Sequence, residues 1–166
     1  MDEVLRTRMT SASLGFSDRA KIVYDPDASD VLKTETYRVT NEIFYRPRKF
    51  PDLVVYIEDG FLTDGASVPR VFWSIVPPWG MHGDACVVHD KLCKTYAVYS
   101  LAKQRMIDID RSLVDRILYD ALETDKAASW KLRLFIVSTT LYRFVARPKR
   151  NSNYYRKINN TVHQVV

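Results

Sequence analysis

Residues 37–57 read Tyr37-Arg38-Val39-Thr40-Asn41-Glu42-Ile43-Phe44-Tyr45-Arg46-Pro47-Arg48-Lys49-Phe50-Pro51-Asp52-Leu53-Val54-Val55-Tyr56-Ile57. Tyr37, Val39, Ile43 and Tyr45 recur with a period of two, interrupted by polar Asn41. That alternation is the mark of a strand with one buried face. Pro47 and Pro51 break the pattern, because proline lacks the ladder donor. Leu53-Val54-Val55-Tyr56-Ile57 then resumes as a second strand. The stretch predicts an antiparallel hairpin with a long loop.

Upstream, Thr10-Ser11-Ala12-Ser13 and Gly15 favour loop over residues 1–20. Residues 21–24 suit a short strand. Asp25-Pro26-Asp27-Ala28-Ser29-Asp30 reads as a turn-rich loop. Downstream of Gly60 the texture turns helical. Ser67 can cap a short helix entered through Val68-Pro69, since proline suits a first turn. Pro77-Pro78-Trp79-Gly80 ends it, and Trp73 and Trp79 cover the end of the sheet or form a surface patch. A second helix is predicted over about 84–99. Cys86, His89, Asp90 and Cys93 stand there at i, i+3, i+4 and i+7, on one face. A third spans about 108–124, with Val114, Ile117, Leu118, Ala121 and Leu122 as its apolar stripe. A fourth spans about 126–147 and Pro148 closes it.

Strands therefore precede helices, which argues an α+β fold. The expected architecture is an N-terminal antiparallel β-hairpin or small sheet packed on a C-terminal bundle of about three to four helices. One domain over residues 1–147 carries a basic tail at 148–166. Its 166 residues, 46% hydrophobic and 27% charged, match an ordinary globular chain and exclude collagen, coiled coil and full disorder. No apolar run reaches the roughly 18 residues of a membrane span. The acidic start Met1-Asp2-Glu3 reads as no secretory signal. Two cysteines imply no disulfide framework, and a reducing compartment is the default.

The net charge of +5 is unevenly spread. Residues 126–166 hold nine Lys/Arg and no acid, whereas all 20 Asp/Glu lie in residues 1–125. Such asymmetry suggests an anionic partner met through Arg143, Arg147, Lys149, Arg150, Arg156 and Lys157. Nucleic acid, a membrane surface and an acidic protein surface all qualify. Tyr154-Tyr155 adds stacking surface for single-stranded nucleic acid. The alternative is a solvated basic tail that aids solubility.

The most distinctive stretch is Gly60-Phe61-Leu62-Thr63-Asp64-Gly65-Ala66-Ser67-Val68-Pro69-Arg70. Ala85-Cys86-Val87-Val88-His89-Asp90-Lys91-Leu92 follows, and then Arg111-Ser112-Leu113-Val114-Asp115-Arg116. In these three parts the chain resembles the domain of unknown function 1353 family, found mostly in bacteriophages and prophages. That pattern is a Gly-Phe-x-Thr-Asp-Gly-Ala-Ser-x-Pro block, a His-Asp pair on a helix, and an Arg-x-x-x-Asp pair on the next. The resemblance covers about residues 50–145. It implies a phage origin and a shared constellation of polar residues, and brings no established activity.

Two readings of the constellation stand side by side. In the structural one, Asp64 bonds its own turn, and His89 or Asp90 meets Arg111 and Asp115 in a buried network. That network would set helix register and hold the Thr63–Ser67 loop, and it must be fully satisfied. In the hydrolytic one, His89, Asp90, Asp64 and Asp115 are the catalytic residues, with His89 a general base oriented by a carboxylate. His89, Asp90 and Asp115 would also be the ligands of a divalent metal, were one bound. Their spacing matches no zinc signature, and the sequence demands no cofactor. Cys86 and Cys93 read as small core residues.

The function expected first is that of a bacteriophage virion-associated or assembly protein whose polar cluster is structural. It would locate to the virion, and to the host cytoplasm during assembly. Other phage structural proteins would be its partners, in a homo-oligomer or a larger assembly. The alternative is a small phage hydrolase using His89 on cell-wall, nucleotide or amide bonds.

Overall fold

The hairpin read from residues 37–57 forms in part. In the computed structural model, which describes residues 3–64 and 82–125, Ile43, Phe44 and Tyr45 of β4 (Ile43–Arg46) pair antiparallel with Ile57, Tyr56 and Val55 of β5 (Leu53–Ile57). The upstream half of the first strand separates as β3 (Tyr37–Val39) and enters a second sheet. Polar Asn41 accounts for the break. Its side-chain oxygen accepts from Lys21 N and its amide donates to Arg19 O. Those bonds draw the backbone out of the ladder.

Two helices stand where the sequence suggests loop. α1 (Glu3–Thr10) is one and α2 (Pro26–Leu32) the other. Asp25 caps α2 by accepting from Ala28 N, Pro26 fills the first turn, and Lys33 closes it at φ +56°. β1 (Gly15–Phe16) pairs with β4, and β2 (Ile22–Tyr24) with β3. β6 (Leu62–Thr63) pairs with the other side of β3.

The second helix is shorter than the sequence suggests. α3 runs Gly83–Thr95 and ends where Tyr96 takes φ +48° and donates its N–H to Leu92 O. The chain then makes a hairpin, β7 (Ala97–Ser100) with β8 (Arg105–Asp108). Helices therefore do not simply follow strands. α4 (Arg111–Thr124) begins later than position 108, at Asp110, whose side chain accepts from Leu113 N. The short helix after Ser67, Trp73, Trp79, the fourth helix, the domain boundary at 147 and the basic tail lie outside the described residues. Among the described residues, no helix is long and apolar enough to cross a membrane. The fold is α+β.

The larger sheet runs β1-β4-β5-β7-β8 and the smaller β2-β3-β6. Strand alternation splits the apolar residues between two faces. Ile43, Tyr45, Val55, Ile57 and Val98 join Val88 and Leu92 of α3 and Val114, Ile117, Leu118, Ala121 and Leu122 of α4 in the main core. On the opposite face Phe44, Val54 and Tyr99 pack with Met9 of α1. Buried Asp120 ties α4 to the sheet by accepting from Tyr45 Oη at 2.6 Å, Arg48 N at 2.8 Å and Lys49 N at 2.9 Å. Arg19 bridges Asp84 at 2.6 Å and Asp125 at 2.8 Å, joining the start of α3 to the end of α4.

Candidate functional site

α3 and α4 pack against each other, and their contact carries the polar residues of the second and third motifs. His89 and Asp90 are consecutive on α3, so their side chains leave it about 100° apart. They meet different neighbours.

His89 meets α4. Its Nε2 lies 3.4 Å from Asp115 Oδ1, 3.3 Å from Arg111 Nη2 and 3.5 Å from Cys93 Sγ. Arg111 spreads its fork over the same groups. Nε donates to Asp115 Oδ1 at 2.9 Å and Nη1 donates to Cys93 Sγ at 3.1 Å. Each helix supplies an i, i+4 pair, His89 with Cys93 and Arg111 with Asp115, so four groups interlock across one helix contact. The His89 side chain keeps 16% of its surface exposed, against 7% for Asp115.

Asp90 meets β6. It accepts from the Thr63 hydroxyl, and the Asp64 carboxyl lies within hydrogen-bonding reach. Lys94, one turn further along α3, donates to Leu62 O and sits 4.6 Å from the centre of the Phe61 ring. Lys91 donates to Glu58. These contacts clamp β6 and the turn before it onto α3.

Burial sets the protonation of the group. It pushes His89 below its ordinary value, Asp115 pulls the other way, and the Arg111 charge adds to the depression. Burial also works to raise Asp115, but the neighbouring His89 and the Arg111 charge outweigh it and hold that carboxyl low. Asp90 is raised well above the carboxylate range by burial and by the negative Asp64, which Lys94 and Thr63 offset only in part. Burial lowers Lys94 against the pull of Asp90 and Asp64. Burial pushes the Cys93 thiol up to about 12 despite Arg111, so Cys93 is a thiol and not a thiolate.

The polar residues read from the sequence thus gather into two separate groups. His89, Arg111 and Asp115 make one, and Thr63, Asp64 and Asp90 the other. The expected metal set His89, Asp90 and Asp115 does not converge. Among the described residues, no three His, Cys, Asp or Glu groups come together to hold a metal. The reason is the angular offset that sends Asp90 to β6 while His89 meets Asp115.

Cys86 is the core residue that its sequence context suggests. Cys93 is not merely one, since it bonds the site's arginine. Lys94 joins the site without a motif to announce it, although its i+4 spacing from Asp90 is a signal that marks it. Ser67 and the basic residues Arg143, Arg147, Lys149, Arg150, Arg156 and Lys157 lie outside the described residues.

No curated protein and no solved structure matches the chain. Residues 37–137 match the family described as Protein of unknown function (DUF1353), and they reach from β3 through both halves of the polar site. That is more than half of the chain, which therefore belongs to this family.

Proposed function

We propose that the chain is a bacteriophage virion-associated or assembly protein that carries a small hydrolytic centre built on His89. One observation carries the hydrolytic half: a depressed, partly exposed histidine within reach of a carboxylate from the facing helix. A histidine neutral at pH 7 can take a proton from water. A carboxylate beyond it orients the ring and stabilises the imidazolium that forms. Asp90, raised well above its ordinary range beside Asp64, is the candidate proton donor for a leaving group. The bonds that fit are those of cell wall, nucleotide or amide substrates. A divalent metal is not required for this route.

The virion half draws on the phage origin that the resemblance implies and on the acid-free C-terminal quarter. That quarter suits docking to an acidic surface of another phage structural protein or to packaged nucleic acid, within a homo-oligomer or a larger assembly. The corresponding locations are the virion and, during assembly, the host cytoplasm.

The same groups also join α3 to α4, so a test must separate chemistry from folding. His89→Gln and Asp115→Asn would be assayed at pH 7 on ester, phosphoester and amide model substrates, beside thermal unfolding. Loss of a positioned general base should slow turnover about 100-fold or more, in a His89→Gln protein that still folds. Absence of turnover by the wild type, or an unchanged rate in His89→Gln, would leave the network purely structural. Mass spectrometry of purified particles tests the virion half, which fails if the chain is missing from them.

A further inference from the structure

We infer that Arg111 is a positioning residue that decides which ring nitrogen of His89 carries the proton. The geometry stands without the hydrolytic reading, and the consequence for catalysis rests on it. Nε2 of a neutral imidazole offers one in-plane site, filled either by a hydrogen or by a lone pair. Asp115 Oδ1, 3.4 Å away, needs the hydrogen. Arg111 Nη2, 3.3 Å away, needs the lone pair, because a guanidinium only donates. Both cannot be satisfied.

The competition favours Arg111. Asp115 Oδ1 is already served by Arg111 Nε at 2.9 Å, so it does not depend on His89 for a donor. Burial keeps the ring neutral. The consistent assignment is a bare Nε2 facing Arg111 and a hydrogen on Nδ1.

In that state neither ring nitrogen is open to a water proton. Withdrawal of the guanidinium from Nε2 lets an Nε2–H bond to Asp115 form and leaves the Nδ1 lone pair as the base. Arg111 thereby holds the proposed centre at rest until something draws it aside.

The test is a long-range proton–nitrogen correlation spectrum of nitrogen-15 histidine-labelled full-length protein at pH 7. His89→Gln identifies the His89 signals among the three histidines. The wild type should show the hydrogen on Nδ1. Arg111→Met, which keeps the length but removes the donors, should move it to Nε2, and Arg111→Lys should restore the wild-type pattern. An Nε2–H signal in the wild type overturns the inference without any variant having to fold. An unmoved proton in folded Arg111→Met overturns it too. If the expected tautomers appear but no substrate is turned over, the hydrolytic reading fails and the role of Arg111 survives.

Discussion

Asp115→Ala removes the negative partner of an arginine whose side chain is only 17% exposed. Breaking a buried ion pair from one side costs about 3–5 kcal/mol, because the remaining charge stays stranded. Arg111 keeps its contact with Cys93 and some access to water, which reduces the expected loss to about 2–4 kcal/mol. For a chain of this size that lowers the thermal midpoint by about 5–15 °C. The pH dependence has a definite sign. The Asp115 carboxyl is held below its ordinary value of 3.8, so its stabilisation is fully present above that value. It disappears as pH falls through the lower, folded value. The gap between wild type and variant should therefore narrow from pH 7 to pH 3. Arg111→Met in the same chain should recover most of the loss, because no unpaired charge remains. Urea unfolding followed by far-ultraviolet circular dichroism at both pH values measures all three. A loss under about 1 kcal/mol at pH 7, an equal loss at pH 3, or a double variant weaker than Asp115→Ala would refute the pairing.

Asp120→Ala should be the costlier change at about 3 kcal/mol or more, since it strands Tyr45 Oη and two backbone amides. Tyr45→Phe should cost about 1 kcal/mol, and similar losses in the two variants would contradict the three-donor account. Asp125 is pushed up to about 6 by burial and by Asp84, so its contribution is present below its ordinary value of 3.8 and fades as pH rises to about 6. The thermal midpoint of Asp125→Asn should thus gain on wild type between pH 4 and pH 7, and a constant difference would refute this. Elemental analysis of wild type beside His89→Ala should find no stoichiometric divalent metal in either. A metal present in the first and lost in the second would make the centre metal-dependent. Binding of the full chain to a polyanion such as heparin should weaken steeply with salt, and a salt-independent affinity would discard the anionic-partner role of the C-terminal quarter.

Spacing along one element is legible in the sequence by itself. Val114, Ile117, Leu118, Ala121 and Leu122 form the buried stripe of α4, as their helical period requires. The alternation in residues 43–45 and 53–57 sorts side chains onto two faces. The i, i+4 pairs His89–Cys93 and Arg111–Asp115 are equally a matter of period, and so is the prospect that the two helices share a polar contact.

What lies beyond the sequence is which face meets which neighbour. Residues 97–100 and 105–108 carry too short a pattern to distinguish a hairpin from a frayed helix end. Only pairing with β5 and between themselves makes them strands. The split at Asn41 depends on hydrogen bonds to Lys21 and Arg19, some twenty residues away. Asp120 looks like one more polar position on a helix, and only its contact with a tyrosine 75 residues earlier makes it a buried anchor. The division of the polar site has the same origin. Local geometry dictates that His89 and Asp90 diverge. The packing of β6 on one side of α3 and α4 on the other decides that Asp90 joins Thr63 and Asp64 while His89 joins Arg111 and Asp115. Helical period is a property of neighbouring residues, whereas the partner across a helix contact is chosen by the burial of the whole core.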